Sequence, residues 1–140
     1  IHNFFIIFGA RMKSTKIIFL PKGDKQRLGP HLNSLEVDCK CTLSHCTRTL
    51  VVEKTILSFV ATRIAFGRKL IVTSGYRCLQ HNFEVGGTRD SKHKLGLAID
   101  IAPENMADLR SLEIAATKHF DVVLKYDNFI HCHNKDGLNG

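Results

Sequence analysis

The segment Ser91-Lys92-His93-Lys94-Leu95-Gly96-Leu97-Ala98-Ile99-Asp100 constrains this chain more than any other stretch. A histidine and a carboxylate seven residues apart converge when the backbone between them turns once and then extends. Gly96 supplies that turn, or a close backbone approach, because it has no Cβ. Beyond it, strand alternation puts Ala98 and Asp100 on one face, and the small Ala98 leaves space above that face. Near the C-terminus, Phe129-Ile130-His131-Cys132-His133 offers two more imidazoles at strand spacing, again on a common face. Two His and one Asp make a three-ligand set with a position left for water, the pattern of catalytic rather than structural zinc.

The flanking sequence predicts the scaffold. Residues 16–20 read as a short strand ended by Pro21, with a Gly/Pro-marked loop through Pro30. Thr49 to Phe66 places Val52, Ile56, Phe59, Val60 and Ile64 at helical spacing, and Gly67 is a natural stop. The β-branched run Leu70-Ile71-Val72-Thr73 predicts a buried strand feeding a turn at Ser74-Gly75-Tyr76-Arg77. After a tight loop at Gly86-Gly87, a strand is expected from Leu95 to Ile101, closed by Pro103. A helix follows from Glu104 or Asn105, with Met106, Leu109, Leu112 and Ala116 on its buried face. Asp121–Tyr126 and Phe129–His133 complete the chain as strands around a turn at Asp127-Asn128. This order predicts an α+β domain with a mainly antiparallel sheet flanked by helices.

The 140 residues suffice for one domain with a real core. Residues 1–15 are expected to form a leader or poorly ordered extension, with residues 16–140 as the single domain. Phe4-Phe5-Ile6-Ile7-Phe8 is too short to span a bilayer and lacks the flanks of a secretory signal. No stable membrane insertion is therefore expected. The net charge of +7 favours polyanionic partners, although the Lys and Arg are scattered rather than massed. No basic run is interleaved with aromatics, and with no Trp and two Tyr there is little to stack on bases. A nucleic-acid partner is not expected. Five cysteines cannot all pair within one chain. Cys39, Cys41 and Cys46 form a C-x-C-x4-C cluster that would need a fourth ligand, such as His45, to hold a structural zinc. Reduced thiols are the default expectation there.

The motif S-x-H-x-x-G-x-A-x-D, matched at Ser91, His93, Gly96, Ala98 and Asp100, resembles the hallmark of the M15 zinc peptidases. Those enzymes are D-Ala-D-Ala carboxypeptidases and L-Ala-D-Glu endopeptidases acting on peptidoglycan. A chance match in such a chain is on the order of 1 in 10,000. The blocks Ser74-Gly75-Tyr76-Arg77-Cys78, His81-Asn82 and Val85-Gly86-Gly87 are similar to the segment preceding that motif in the small, phage-associated branch. Val37-Asp38-Cys39-Lys40-Cys41 and Tyr126-x-x-Phe129-Ile130-His131 resemble its cysteine-bearing and closing segments.

The resemblance implies a hedgehog/D-Ala-D-Ala-peptidase-like zinc domain that cleaves the stem peptides of bacterial peptidoglycan. It implies Zn2+ held by His93, Asp100 and a C-terminal His. The branch's Phe-x-His-x-Asp pattern selects His131 as that ligand, while relatives with a His-x-His pair would select His133. Asp127, four residues before His131, and His133 are the expected proton acceptors for the attacking water, though Asp127 also suits a turn. Arg77 is expected to hold a substrate carboxylate with its two-pronged fork, and Ser91 to position either substrate or the His93 backbone. A monomer, made in the bacterial cytoplasm and acting at the wall as a phage lysis or infection enzyme, is the matching expectation. The competing reading is a zinc-binding module without catalysis, since the hedgehog domain carries the same motif and a His-Ile-His-Cys segment that Phe129-Ile130-His131-Cys132 resembles.

Overall fold

The computed structural model describes residues 16–135; the expected leader at residues 1–15 and the last five residues lie outside the described residues. In chain order the elements are β1 (Ile17–Pro21), β2 (Arg27–Gly29), β3 (Leu32–Asn33), α1 (Ser34–Val37), β4 (Arg48–Val52), α2 (Glu53–Phe66), β5 (Leu70–Ser74) and α3 (Leu79–Glu84). A 3-10 turn (Lys92–Leu95) then leads into β6 (Ala98–Pro103), and a second one (Met106–Asp108) into α4 (Leu109–Thr117). The hairpin β7 (Val122–Lys125) and β8 (Ile130–His133) ends the fold. The main sheet runs β5-β6-β8-β7, antiparallel throughout, beside the two-stranded pairs β1-β4 and β2-β3. The fold is α+β, as its alternation of apolar runs and turns predicts.

Pleating sorts the sheet into two faces. Leu70 and Val72 of β5, Ile99 and Ile101 of β6, and Ile130 and Cys132 of β8 belong to one core with Ile56 and Phe59 of α2 and Leu112 and Ala116 of α4. Each large apolar side chain buried this way stabilises the fold by about 1.5–3 kcal/mol relative to exposure. The residues between them, Ala98, Asp100, His131 and His133, necessarily point to the opposite face. Cys132 is fully buried on the core side.

Helix α2 stops where expected: Gly67 adopts the left-handed conformation (φ 78°) and donates its N–H to the Arg63 carbonyl. Its start differs. Residues 48–52 form a strand instead, pairing with β1 from Ile17↔Val52 to Pro21↔Arg48. Thr49, Val51 and Val52 favour extended backbone, and the ladder with β1 satisfies donors that an isolated first helical turn would leave unpaired. Ile64, expected on the buried stripe, is 65% exposed; Thr62 takes the inner position and returns its hydroxyl to the Ser58 carbonyl at 2.8 Å.

The strand expected from Leu95 begins at Ala98, because Lys92–Leu95 coils into a 3-10 turn closed by Gly96 at φ 70°. Met106 falls in the second 3-10 turn and is exposed, so the buried face of the following helix begins at Leu109. The final hairpin is tied by the Tyr126 N–H to the Phe129 carbonyl at 2.9 Å.

Candidate metal centre

Local sequence places His93. Ser91 opens the 3-10 turn, its Oγ accepting the His93 N–H at 3.3 Å. Gly96 closes it, and a Cβ at Gly96 would lie 2.8 Å from the Leu50 carbonyl oxygen and from the Val51 Cα. The Gly96 carbonyl accepts the Val52 N–H at 3.0 Å and the Thr55 hydroxyl at 2.8 Å, locking the turn to the start of α2. The His93 ring is buried, with Nδ1 2.7 Å from the Gly75 carbonyl oxygen. A carbonyl only accepts, so the proton sits on Nδ1 and Nε2 is turned to Asp100 Oδ1, 3.2 Å away.

The sheet places the rest. Asp100 of β6 stands in register with His131 of β8, and Ala98 with His133. Directly opposed residues share a face, so His131 Nδ1 lies 2.9 Å from the same Asp100 Oδ1. His131 Nε2 is in turn 2.8 Å from His133 Nδ1. Ligand atoms of His93, Asp100 and His131 all fall within 4.8 Å of one another. A neutral His93 would turn a lone pair towards the carboxylate in a buried site, and a shared cation removes that repulsion as a proton on the ring also would. Two imidazole nitrogens and a carboxylate oxygen fit zinc with one position open.

Charge at the site follows from these contacts. Burial works against ionised Asp100, but in the metal-free site hydrogen bonds from His131 and His93, and their positive charge when both ring nitrogens are protonated, outweigh it and hold the carboxyl at about 2, below its ordinary 3.8. Burial, then the positive charge of His131 and Lys92, pushes the His133 pKa below its ordinary 6.5, so that ring is mostly neutral at pH 7.

A cleft of about 490 Å³ opens over this floor, walled by residues that include Arg77, Asp90, Ser91, Lys92, Tyr126 and Phe129. Tyr126 and Phe129 stack with centroids 4.8 Å apart, making a flat apolar wall. His133 lines the cleft. Asp127 is exposed in the β7–β8 turn and is not among the lining residues. Ser91 lines the cleft and its Oγ accepts the His93 N–H.

Arg77 reaches further into the site than its loop position suggests. Its Nη2 pairs with Asp100 Oδ2 at 3.4 Å, Nη1 donates to Asn82 Oδ1 at 3.3 Å and Nε to Ser74 Oγ at 3.1 Å. Three of the five guanidinium N–H groups are thereby used, and Arg77, which lines the cleft, keeps two more. Asn82 is buried and also donates to the Thr88 carbonyl at 2.9 Å. Its support of Arg77 was not legible from the sequence beyond its place in the His81-Asn82 block, nor was the role of the Gly75 carbonyl. A Cβ at Gly87 would collide with Asn82 Oδ1, so a larger residue there would displace the Asn82 side chain from Arg77.

A profile of the Peptidase M15 family matches residues 30–133. The chain belongs to the M15 peptidase family. The matched span holds the whole main sheet, the convergent His93, Asp100 and His131, Arg77, and His133 at its far end. It leaves out β1 and β2, although β1 pairs with β4 inside the span. No curated protein matches the chain. Among the described residues, no helix is long and apolar enough to cross a membrane.

Proposed function

We propose that this M15 peptidase is a zinc metallopeptidase that hydrolyses a peptide bond in the stem peptides of bacterial peptidoglycan, as a D-Ala-D-Ala carboxypeptidase or an L-Ala-D-Glu endopeptidase. What carries the reading is the convergence of His93, Asp100 and His131 within 4.8 Å on the floor of an open cleft. Those three residues would hold the zinc. The ion supplies a Lewis acid for the scissile carbonyl and brings the pKa of a water towards neutrality.

The chain's own residues set up that chemistry. Gly75 fixes the His93 tautomer through Nδ1–H, leaving Nε2 as the ligand atom. Neutral His133 accepts the Nε2–H of His131 at Nδ1, which frees His131 Nδ1 to face Asp100. Arg77 holds the outer oxygen of Asp100 and keeps two N–H groups for a substrate carboxylate, the acidic end of a stem peptide. The Tyr126–Phe129 stack gives the peptide an apolar wall to lie against. Of the two groups expected to accept the water's proton, only His133 lies in the cleft, and it can take that proton at Nδ1 once the His131 Nε2–H releases that nitrogen. A role in phage lysis or infection fits the family branch that the sequence resembles.

The same cleft favours one alternative on a specific observation. Asp127, the expected acidic base, lies outside the lining, which suits a zinc-binding module without catalysis. Digestion of purified muropeptides by the zinc-loaded full chain, read by mass spectrometry, separates the two. Loss of a terminal D-Ala, or cleavage after the first stem residue, is expected, and His93→Ala should abolish either. Bound zinc with intact muropeptides would overturn the peptidase reading and select the module.

A further inference from the structure

Away from the cleft, the loop between α1 and β4 brings Cys39, Cys41 and Cys46 together, and Cys78 joins them from the N-cap of α3. The sulfur atoms of all four lie within 4.8 Å of one another. Cys39–Cys78 is 3.8 Å and Cys41–Cys78 3.9 Å. A tetrahedron of thiolates at the zinc–sulfur distance of about 2.3 Å has an edge of about 3.8 Å, whereas a disulfide would need about 2.0 Å. His45, the fourth ligand the spacing suggested, is exposed and outside the cluster; Cys78 takes its place from 39 residues beyond Cys39.

We propose that Cys39, Cys41, Cys46 and Cys78 form a closed tetrathiolate site for a structural zinc ion, distinct from the His93–Asp100–His131 centre. Four sulfurs leave no open position, so this metal is a brace rather than a reagent. Two backbone N–H groups and one ammonium group point at the sulfurs. Cys39 Sγ accepts the Cys78 N–H and Cys78 Sγ the His81 N–H, both at 3.4 Å. Lys22 Nζ lies 3.4 Å from Cys41 Sγ and 2.8 Å from the Cys41 carbonyl, a cation beside a site whose four thiolates and one divalent ion carry excess negative charge.

The sulfurs are placed by contacts that do not involve them. Asp38 accepts the Gly23 N–H at 2.9 Å and the Thr49 hydroxyl, and the Tyr76 N–H reaches the Val37 carbonyl at 2.9 Å. Gly75 packs so closely on Val37 that a Cβ would lie 2.5 Å from the Val37 Cα. The brace therefore clamps residues 37–46 against residues 75–78. That second segment supplies the Gly75 carbonyl to His93 and the Arg77 fork to Asp100. The fifth cysteine, Cys132, is buried in the core, so the odd count resolves into four ligands and one packing residue.

Metal content of the full chain, purified under reducing conditions, tests this. Two zinc ions per chain are expected in the wild type and one in His93→Ala or His131→Ala. Reloading His93→Ala with cobalt should give intense thiolate-to-cobalt charge-transfer absorption, lost in a further Cys78→Ser change and retained, shifted, in Cys78→His. Should Cys78→Ser not fold, alkylation of the folded His93→Ala protein decides: four cysteines protected until a chelator is added. A wild type with a single zinc that His93→Ala removes would overturn the brace and leave the peptidase reading standing. A single zinc that survives His93→Ala would do the reverse. Cobalt-loaded protein without thiolate bands, or an intact mass four hydrogens short with those cysteines paired, would also overturn it.

Discussion

At the scale of single residues, the site rests on which nitrogen of each histidine carries its proton. His131 can offer Nδ1 only while His133 Nδ1 accepts from its other nitrogen, 2.8 Å away. His133→Ala should therefore weaken zinc binding by about 10–100-fold in chelator competition. At saturating zinc its turnover should still fall by about 100-fold or more, the loss expected of a proton acceptor. Asp127→Asn should change neither, and a large loss of turnover in that variant would move the base to the hairpin turn. Asp100 gives a pH signature without metal. Its carboxyl is held at about 2 when folded against 3.8 ordinarily, so the unfolded chain takes up the proton first as pH falls. The resulting stability, about 2 kcal/mol, is fully present above about pH 4 and lost as pH drops towards 2. Denaturant titrations with chelator present should show that loss, and Asp100→Asn should flatten it. Equal slopes in the two proteins would mean that the histidines do not hold the carboxylate.

At the scale of elements, the turn at Lys92–Leu95 decides whether His93 faces Asp100 or solvent. Gly96 ends it at φ 70° against the backbone of β4. Gly96→Ala meets both obstacles at once, left-handed backbone and atoms at 2.8 Å, and should cost about 1–3 kcal/mol in denaturant unfolding. The same variant should bind zinc more weakly, since displacing the turn moves His93 and the tie to Val52 and Thr55 together. Normal stability with normal zinc content would remove Gly96 from any role in the site. This turn was legible because its signals are local: a serine cap, a glycine and strand alternation within ten residues. The facing of His131 and His133 was legible for the same reason. What escaped depends on partners distant in sequence. Thr49–Val52 follows helical spacing into α2, and only the ladder with β1 makes it a strand. Ile64 continued an apolar spacing whose inner position Thr62 occupies, a polar side chain made acceptable by its bond to Ser58. Cys78 and Asn82 act on groups that the folded loop brings to them, and no spacing along the chain announces either meeting.

For the whole molecule, the net charge of +7 acts on a different part of the proposed reaction from the metal centre. The cleft itself is not a basic funnel: Arg77 is paired with Asp100, and the lining holds the acidic Asp90 as well as Lys92. Excess positive charge spread over the surface should concentrate the protein on an anionic polymer without contributing to the bond-breaking step. Raising salt shortens the reach of exposed charges from about 10 Å at 0.1 M to about 3 Å at 1 M, while buried pairs such as Asp100 with His93 are screened far less. Cosedimentation with insoluble peptidoglycan should therefore fall steeply as salt rises across that range. Turnover of a short, soluble stem peptide at saturating concentration should stay within about twofold over the same range. If both fall together, the charge is acting inside the cleft, and Arg77 and Lys92 become the residues to neutralise. If neither falls, attraction to the wall polymer is not what the surface charge provides, and binding rests on the contacts of the cleft alone.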